Sequence, residues 1–121
     1  MRPLFELVPN LSEGRDRATV ARAIEAMERC GASVLHATSD TTHHRSVITA
    51  AGEGSQILEA AVALAGVALE RIDVRGHTGV HPRMGALDVL PFVPLGSATM
   101  QEAVSLAHEA GERIWRAYRI P

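Results

Sequence analysis

The segment spanning residues 76–86 has the composition best suited to acid-base chemistry in this chain. His81 precedes Pro82, and a proline biases the residue before it toward an extended backbone. An imidazole titrates near neutral pH and can both accept and donate a proton, as a general acid or base must. Arg83 would lie on the same side of an extended segment as His81, and its planar guanidinium suits a carboxylate. The segment therefore predicts a proton-transfer residue beside an anion-binding group.

Two other interpretations of this segment compete with catalysis. A loop histidine in an arbitrary protein is more often a solvated or structural residue than a catalyst. His77 and His81 also have the i, i+4 spacing of helical zinc ligands. Gly76, Gly79 and Pro82 disfavour a helix at this point, so we predict no metal site.

Two more polar segments, residues 8–14 and 38–46, also suggest ligand binding. His43–Arg45 is either a cation-rich anion site or a polar hairpin, because adjacent strand residues point to opposite faces. Asp40 is equally well explained as a turn-forming residue and as a catalytic one. Ser12–Gly14 can also be explained by the start of a helix alone. The residue types alone leave these alternatives open.

Composition excludes several classes of function. All twelve basic residues are arginines, so Schiff-base chemistry and a P-loop lysine are impossible, and the net charge of −2 does not favour nucleic acid. The single cysteine, Cys30, cannot form an intramolecular disulfide and fits a reducing cytoplasm. Residues 1–10 do not have the unbroken apolar core of a secretory signal, and the apolar stretch 57–69 is too short to span a bilayer. We expect a soluble cytoplasmic protein with no membrane partner.

Hydrophobic periodicity predicts one domain, residues 1–121, with the element order β-α-β-β-α-β-α. The first six elements match the ferredoxin-like arrangement, an α/β (α+β) fold in which two helices cover one face of a four-stranded antiparallel sheet. An extra C-terminal helix follows. The predicted strands cover residues 4–8, 33–37, 45–51 and 87–95, with Pro91 and Pro94 indicating an edge strand.

Three amphipathic helices are predicted from the spacing of apolar residues. The first runs from about Asp16 to Cys30, and the second has Ser55 as its N-cap. Thr99 and Glu102 form a capping box at the start of the third. The apolar positions of the second helix, which should pack on the sheet, are Ile57, Ala61, Leu64, Ala68 and Ile72. In the third helix one stripe contains Val104, Ala107, Gly111, Ile114 and Tyr118.

Taken in order, three motifs resemble the N-terminal subdomain of glutamate formiminotransferase: Val8–Gly14, Ser39–Val47 and His77–Val89. The resemblance implies transfer of the formimino group of N-formimino-L-glutamate to N5 of tetrahydrofolate, a step in histidine degradation. It implies that His81, in the His-Pro-Arg-Met-Gly-Ala motif, is the acid/base. It also implies a second, C-terminal subdomain, in cis or in trans, with the folate in the cleft between the two. His44 stands where the family usually has asparagine.

Beyond His81, the chemistry of the transfer suggests further site residues, whose roles are hypotheses. Asp40 is expected to orient the imidazole, while Arg45 and Arg83 are the candidates for binding the carboxylates of glutamate. Tetrahydrofolate is the expected co-substrate, without a metal, and a homodimer or other homo-oligomer is expected. The expected substrate- and folate-binding residues are Asn10, Ser12, Glu13, Gly14, His43, His44, Arg45, His77, Arg83, Met84 and Gly85.

A second hypothesis of a different class is a noncatalytic module that binds folate or another small molecule, or serves in assembly, and keeps the loops without turnover. Retention of His81, Pro82 and Arg83 favours the enzyme. A zinc hydrolase is a distant third alternative, which metal analysis would test.

Overall fold

The computed structural model describes residues 3–11, 17–40, 45–71 and 87–118. These residues form six strands and three helices. The strands are β1 (Leu4–Leu7), β2 (Asn10–Leu11), β3 (Ser33–Asp40), β4 (Arg45–Glu53), β5 (Leu87–Val89) and β6 (Phe92–Leu95), and the helices are α1 (Arg17–Arg29), α2 (Gly54–Arg71) and α3 (Met100–Tyr118).

The six strands occupy four strand positions in one antiparallel sheet. β4 pairs with β3 on one side, from Arg45 to Ala51, and on the other side with β2 near its start and with β1 near its end. Likewise β5 pairs with β2, and β6 with β1. The resulting order is β3, β4, β1/β2, β5/β6. This mixed α/β arrangement agrees with the predicted ferredoxin-like sheet.

Prolines explain why two of the four strand positions each consist of two short strands. Pro9 separates β1 from β2, and Pro91 separates β5 from β6, because a proline has no N–H to donate to the ladder. Backbone hydrogen bonds still hold the strands together at this point. The N–H of Val8 donates to the carbonyl of Pro91 at 3.1 Å, and the N–H of Ile48 donates to that of Pro9 at 3.1 Å.

The core lies between one face of the sheet and the helices. Along β1 and β4 every second side chain is buried, as expected for a sheet covered on one side. The four predicted core positions of α2 within the described residues, Ile57, Ala61, Leu64 and Ala68, are buried and confirm its periodicity. α3 contacts α2 and β6, which confirms the extra C-terminal helix.

The predicted N-cap of α2 is wrong by two residues. The helix begins at Gly54, so Ser55 lies inside its first turn and is exposed. The side-chain oxygen of Gln56 accepts a hydrogen bond from the backbone N–H of Glu53 at 2.9 Å, which makes Glu53 the capping position. A side chain three residues into the helix, rather than the serine hydroxyl, therefore caps the free N–H.

The start of α3 is confirmed, whereas the predicted stripe is buried only at Ile114 among the side chains that the structure describes. The Thr99 hydroxyl accepts from the N–H of Glu102 at 3.1 Å, while the Glu102 carboxylate accepts from the N–H of Thr99 at 2.8 Å. Val104, Ala107 and Gly111, however, are exposed. The buried or half-buried face consists of Ala103, Leu106, Ala110 and Ile114.

Candidate active site

A row of paired residues runs across all four strand positions at one end of the strands, here called the site edge of the sheet. Ser39 of β3 is opposite Ser46 of β4, Ser46 is opposite Leu11 of β2, and Leu11 is opposite Leu87 of β5. Neighbouring strands lie about 4.8 Å apart, so the whole row spans about 14 Å.

The three segments of the expected site all connect to this row. Residues 12–16 follow Leu11, residues 41–44 join Asp40 to Arg45, and residues 72–86 precede Leu87. Segments far apart in the sequence therefore start or end at neighbouring positions of the sheet. The described strands bring together the attachment points of all three.

Most expected site residues lie outside the described residues. The predictions for them concern both catalysis and binding and stay predictions. These residues are Ser12, Glu13, Gly14, His43, His44, His77, His81, Arg83, Met84 and Gly85.

Asn10 belongs to a strand, not to the loop that the sequence predicts. It is opposite Val47 of β4 and Val89 of β5, and its register with β5 shifts before Leu11. Its side chain is half-buried, and the amide Nδ2 donates to the carbonyl of Val8 at 3.4 Å. The side-chain amide of Asn10 is therefore one residue from the row of paired residues, next to Pro9, which separates β1 from β2.

The polar segment after β3 is also shorter than predicted. Thr38, Ser39 and Asp40 continue the strand and pair with Val47, Ser46 and Arg45, because β4 offers an unbroken row of partners. Asp40 and Arg45 are opposite each other at the end of this hairpin, and Arg45 is exposed. The two residues expected to orient the imidazole and to bind a carboxylate are therefore placed at the same edge.

The sequence reasoning did not single out the serine pair at this edge. Ser46 is fully buried, and its hydroxyl lies 2.8 Å from the hydroxyl of Ser39, within hydrogen-bond distance. A serine among the β-prone residues of β4 was the available signal. The contact links β3 to β4 at the residue pair next to Asp40 and Arg45.

The described residues contain no grouping of three or more acidic, histidine or cysteine side chains that could hold a metal ion. Within the same part of the chain, no helix is long and apolar enough to cross a membrane.

Comparison with known proteins decides the family. A model of the formiminotransferase domain, N-terminal subdomain, matches residues 4–121. The chain belongs to this formiminotransferase family. A glutamate formimidoyltransferase of Streptococcus pyogenes serotype M1 is 42% identical over the whole chain, and one of Thermoplasma acidophilum is 44% identical over 98% of it.

The formiminotransferase relatives are longer than this chain. The chain spans 41% of the Streptococcus enzyme and 39% of the Thermoplasma enzyme. A formimidoyltransferase-cyclodeaminase of Dictyostelium discoideum is 39% identical over the whole chain, which covers 23% of that protein. The similarity is therefore confined to one part of each larger protein.

Proposed function

We propose that this chain supplies one half of a glutamate formiminotransferase site. The site transfers the formimino group of N-formimino-L-glutamate to N5 of tetrahydrofolate, the co-substrate. The observation that carries the proposal is the convergence of three attachment points on one row of the sheet, in a chain whose family is the formiminotransferase N-terminal subdomain.

The reaction requires two proton transfers, and His81 is the residue proposed for both. N5 of the folate attacks the amidine carbon and loses a proton, which the imidazole accepts. The bond from this carbon to the glutamate nitrogen then breaks, and the imidazole donates a proton to that nitrogen. Glutamate and 5-formiminotetrahydrofolate are the products.

The edge described above fits the remaining roles. Arg45, exposed at the start of β4, is proposed to bind a carboxylate of the substrate, which its guanidinium can do through two hydrogen bonds. Asp40, opposite it in the hairpin, is proposed to orient the imidazole. The other binding roles are proposed for the site residues named from the sequence.

The second half of the site is proposed to come from the part of the longer relatives that this chain does not cover. The sheet face away from the helices supports this proposal. Leu4 and Val93 are exposed there, and Leu35 is exposed at the irregularity between Val34 and His36 in β3. A second subdomain that buries these side chains would close a cleft above the sheet.

A mixing experiment tests the proposal. Formimino transfer is measured for this chain alone and with the remaining segment of the Thermoplasma relative, and folate binding is measured in both. We expect transfer only in the mixture. Folate binding without transfer in the mixture would contradict the enzyme and leave the noncatalytic binding module, whereas neither binding nor transfer would contradict both.

A further inference from the structure

Glu6 places a carboxylate in the middle of the sheet face away from the helices, here called the open face. Its neighbours Phe5 and Leu7 are buried on the helix side, and successive side chains of a strand point to opposite faces. Glu6 is therefore on the open face, in β1, with β4 on one side and β6 on the other. Among the described side chains of β1, β6 and the middle of β4 on this face, it is the only charged one.

The side chains around Glu6 cannot satisfy a carboxylate. Glu6 is opposite Ala51 of β4 and Val93 of β6, and Leu4 and Val8 are two residues away along the chain on the same face. The Glu6 side chain is half-buried, and none of the described residues forms a hydrogen bond or an ion pair with its carboxylate. Its two oxygens are therefore available to donors that approach from above the sheet.

Closure of the proposed cleft would make an unpaired carboxylate at this position unfavourable. In the proposed site the second subdomain covers the open face, and the folate lies between the two. Removing an ionised carboxylate from water is costly unless hydrogen-bond donors replace the lost water. The group that lies above Glu6 in the closed cleft must therefore present donors to it.

The pterin ring of tetrahydrofolate has suitable donors on one side. Its 2-amino group and its N3–H are adjacent and parallel, so they match the two oxygens of one carboxylate in the way that a guanidinium does. N5, which accepts the formimino group, belongs to the other ring of the pterin. A carboxylate that binds the 2-amino group and N3–H therefore holds the pterin without contacting the reacting nitrogen.

The distance of Glu6 from the site edge agrees with this arrangement. Asn10, on the open face, is one residue from the row of paired residues, and Glu6 is four residues before it, about 13 Å away along the strand direction. Val8, Val47 and Thr49 lie between them on the same face and are half-buried. Their β-branched side chains form a low surface on which a flat ring can lie.

We propose that Glu6 binds the 2-amino group and N3–H of the pterin ring and so determines the position of tetrahydrofolate in the cleft. N5 is then directed toward the site edge, where the segment that contains His81 joins the sheet. This inference rests on the proposed function and assigns to it a further residue that determines specificity. The competing partner for the Glu6 carboxylate is a cation of the second subdomain.

Binding of tetrahydrofolate to the mixture with the second segment tests the role of Glu6. Glu6→Gln keeps the size of the side chain but replaces one acceptor with a donor, so the dissociation constant for tetrahydrofolate is expected to rise about 10 to 100-fold. The KM for N-formimino-L-glutamate is expected to stay the same. Glu28→Gln, which removes an exposed carboxylate of α1, is the control and is expected to bind like the parent chain. A Glu6→Gln mixture with the parent affinity for tetrahydrofolate would overturn the proposal.

A tetrahydrofolate analogue without the 2-amino group identifies the donor. The parent mixture is expected to bind this analogue about tenfold more weakly than tetrahydrofolate, whereas the Glu6→Gln mixture is expected to bind both with similar affinity. An equal loss in the two mixtures would overturn the proposal. Weaker binding of the second segment to the Glu6→Gln chain without folate would also overturn it, because the carboxylate would then pair with that segment. A parent mixture that binds no tetrahydrofolate would instead contradict the proposed function, and this inference with it.

Discussion

At the scale of single residues, two glycines with positive φ differ in how much space surrounds them. Gly31 (φ 93°) follows α1, where its N–H donates to the carbonyl of Glu28, and a Cβ at this position would lie 2.7 Å from Nε2 of Gln56. The same amide group caps α2. Gly96 (φ 54°) has open space around it. Comparing alanine substitutions at the two glycines therefore separates the cost of a left-handed backbone conformation from the cost of a steric clash.

We expect Gly31→Ala to lower the free energy of unfolding by about 2 kcal/mol and Gly96→Ala by about 1 kcal/mol. Both substitutions place alanine in a left-handed conformation, but only the first also displaces the cap of α2. Urea unfolding of both variants measures the difference. Equal losses would show that Gln56 moves away at no cost.

Single residues also show how much of the candidate site could be predicted from the sequence. Residue types and motifs sufficed to nominate His81, Asp40 and Arg45. They could not show that Asp40 continues β3, since Thr38 and Ser39 look like polar loop residues until β4 supplies their partners. Ser46 is buried by tertiary contacts, and a strand serine does not indicate this by itself.

At the scale of elements, the start of α3 depends on its capping box. Replacing Thr99 by alanine removes the acceptor for the N–H of Glu102 and is expected to cost about 1 kcal/mol of stability. Thr99→Ser keeps the hydroxyl and Ser97→Ala changes a nearby exposed residue, so both are expected to stay near the parent chain. Thermal unfolding compares the three, and a stable Thr99→Ala variant would contradict the role of the cap.

An ion pair between two helices predicts a specific dependence on pH. Arg113 donates to the carboxylate of Glu59 at 2.6 and 3.2 Å, which lowers the pKa of Glu59 and raises that of Arg113. A lowered carboxyl pKa in the folded state contributes stability above the pKa of the unfolded chain, and this contribution is lost as the pH falls through the folded pKa.

Arg113→Gln is therefore expected to lower the melting temperature slightly at pH 7, and the decrease is expected to become smaller as the pH falls through the folded pKa of Glu59. Arg116→Gln, which removes a partner of Glu112 within α3, is the control for loss of one surface arginine. An equal decrease at pH 7 and pH 3 would contradict a contribution from the pair.

The elements themselves were largely predictable, and the errors have a physical pattern. The apolar residues of α2 follow one clear face, and that face is buried. α3 has two apolar faces, so its periodicity alone could not decide which one packs on α2 and β6. Contact with those elements selects the face of Ala103 and Ala110 and leaves Val104 and Gly111 outside.

At the scale of the whole molecule, the exposed apolar side chains of the sheet are assigned to the second subdomain. Leu35→Asp is expected to weaken binding of the second subdomain at least tenfold with little effect on folding, since the side chain is exposed in this chain. Val104→Glu on α3 is the matched control. Isothermal titration with the remaining segment of the Thermoplasma relative compares them, and a Leu35→Asp chain that binds as tightly as the Val104→Glu chain would contradict the assignment of the sheet surface.

Removal of the His81 imidazole tests whether this chain contributes the acid/base to a formiminotransferase site. The measurement is kcat for formimino transfer in the mixture with the second segment, for the parent chain, His81→Ala and His108→Ala. His108 is an exposed histidine of α3 and controls for removal of an imidazole. We expect kcat to fall about 10² to 10⁴-fold in His81→Ala and to be unchanged in His108→Ala. A His81→Ala mixture that keeps the parent kcat would contradict the account.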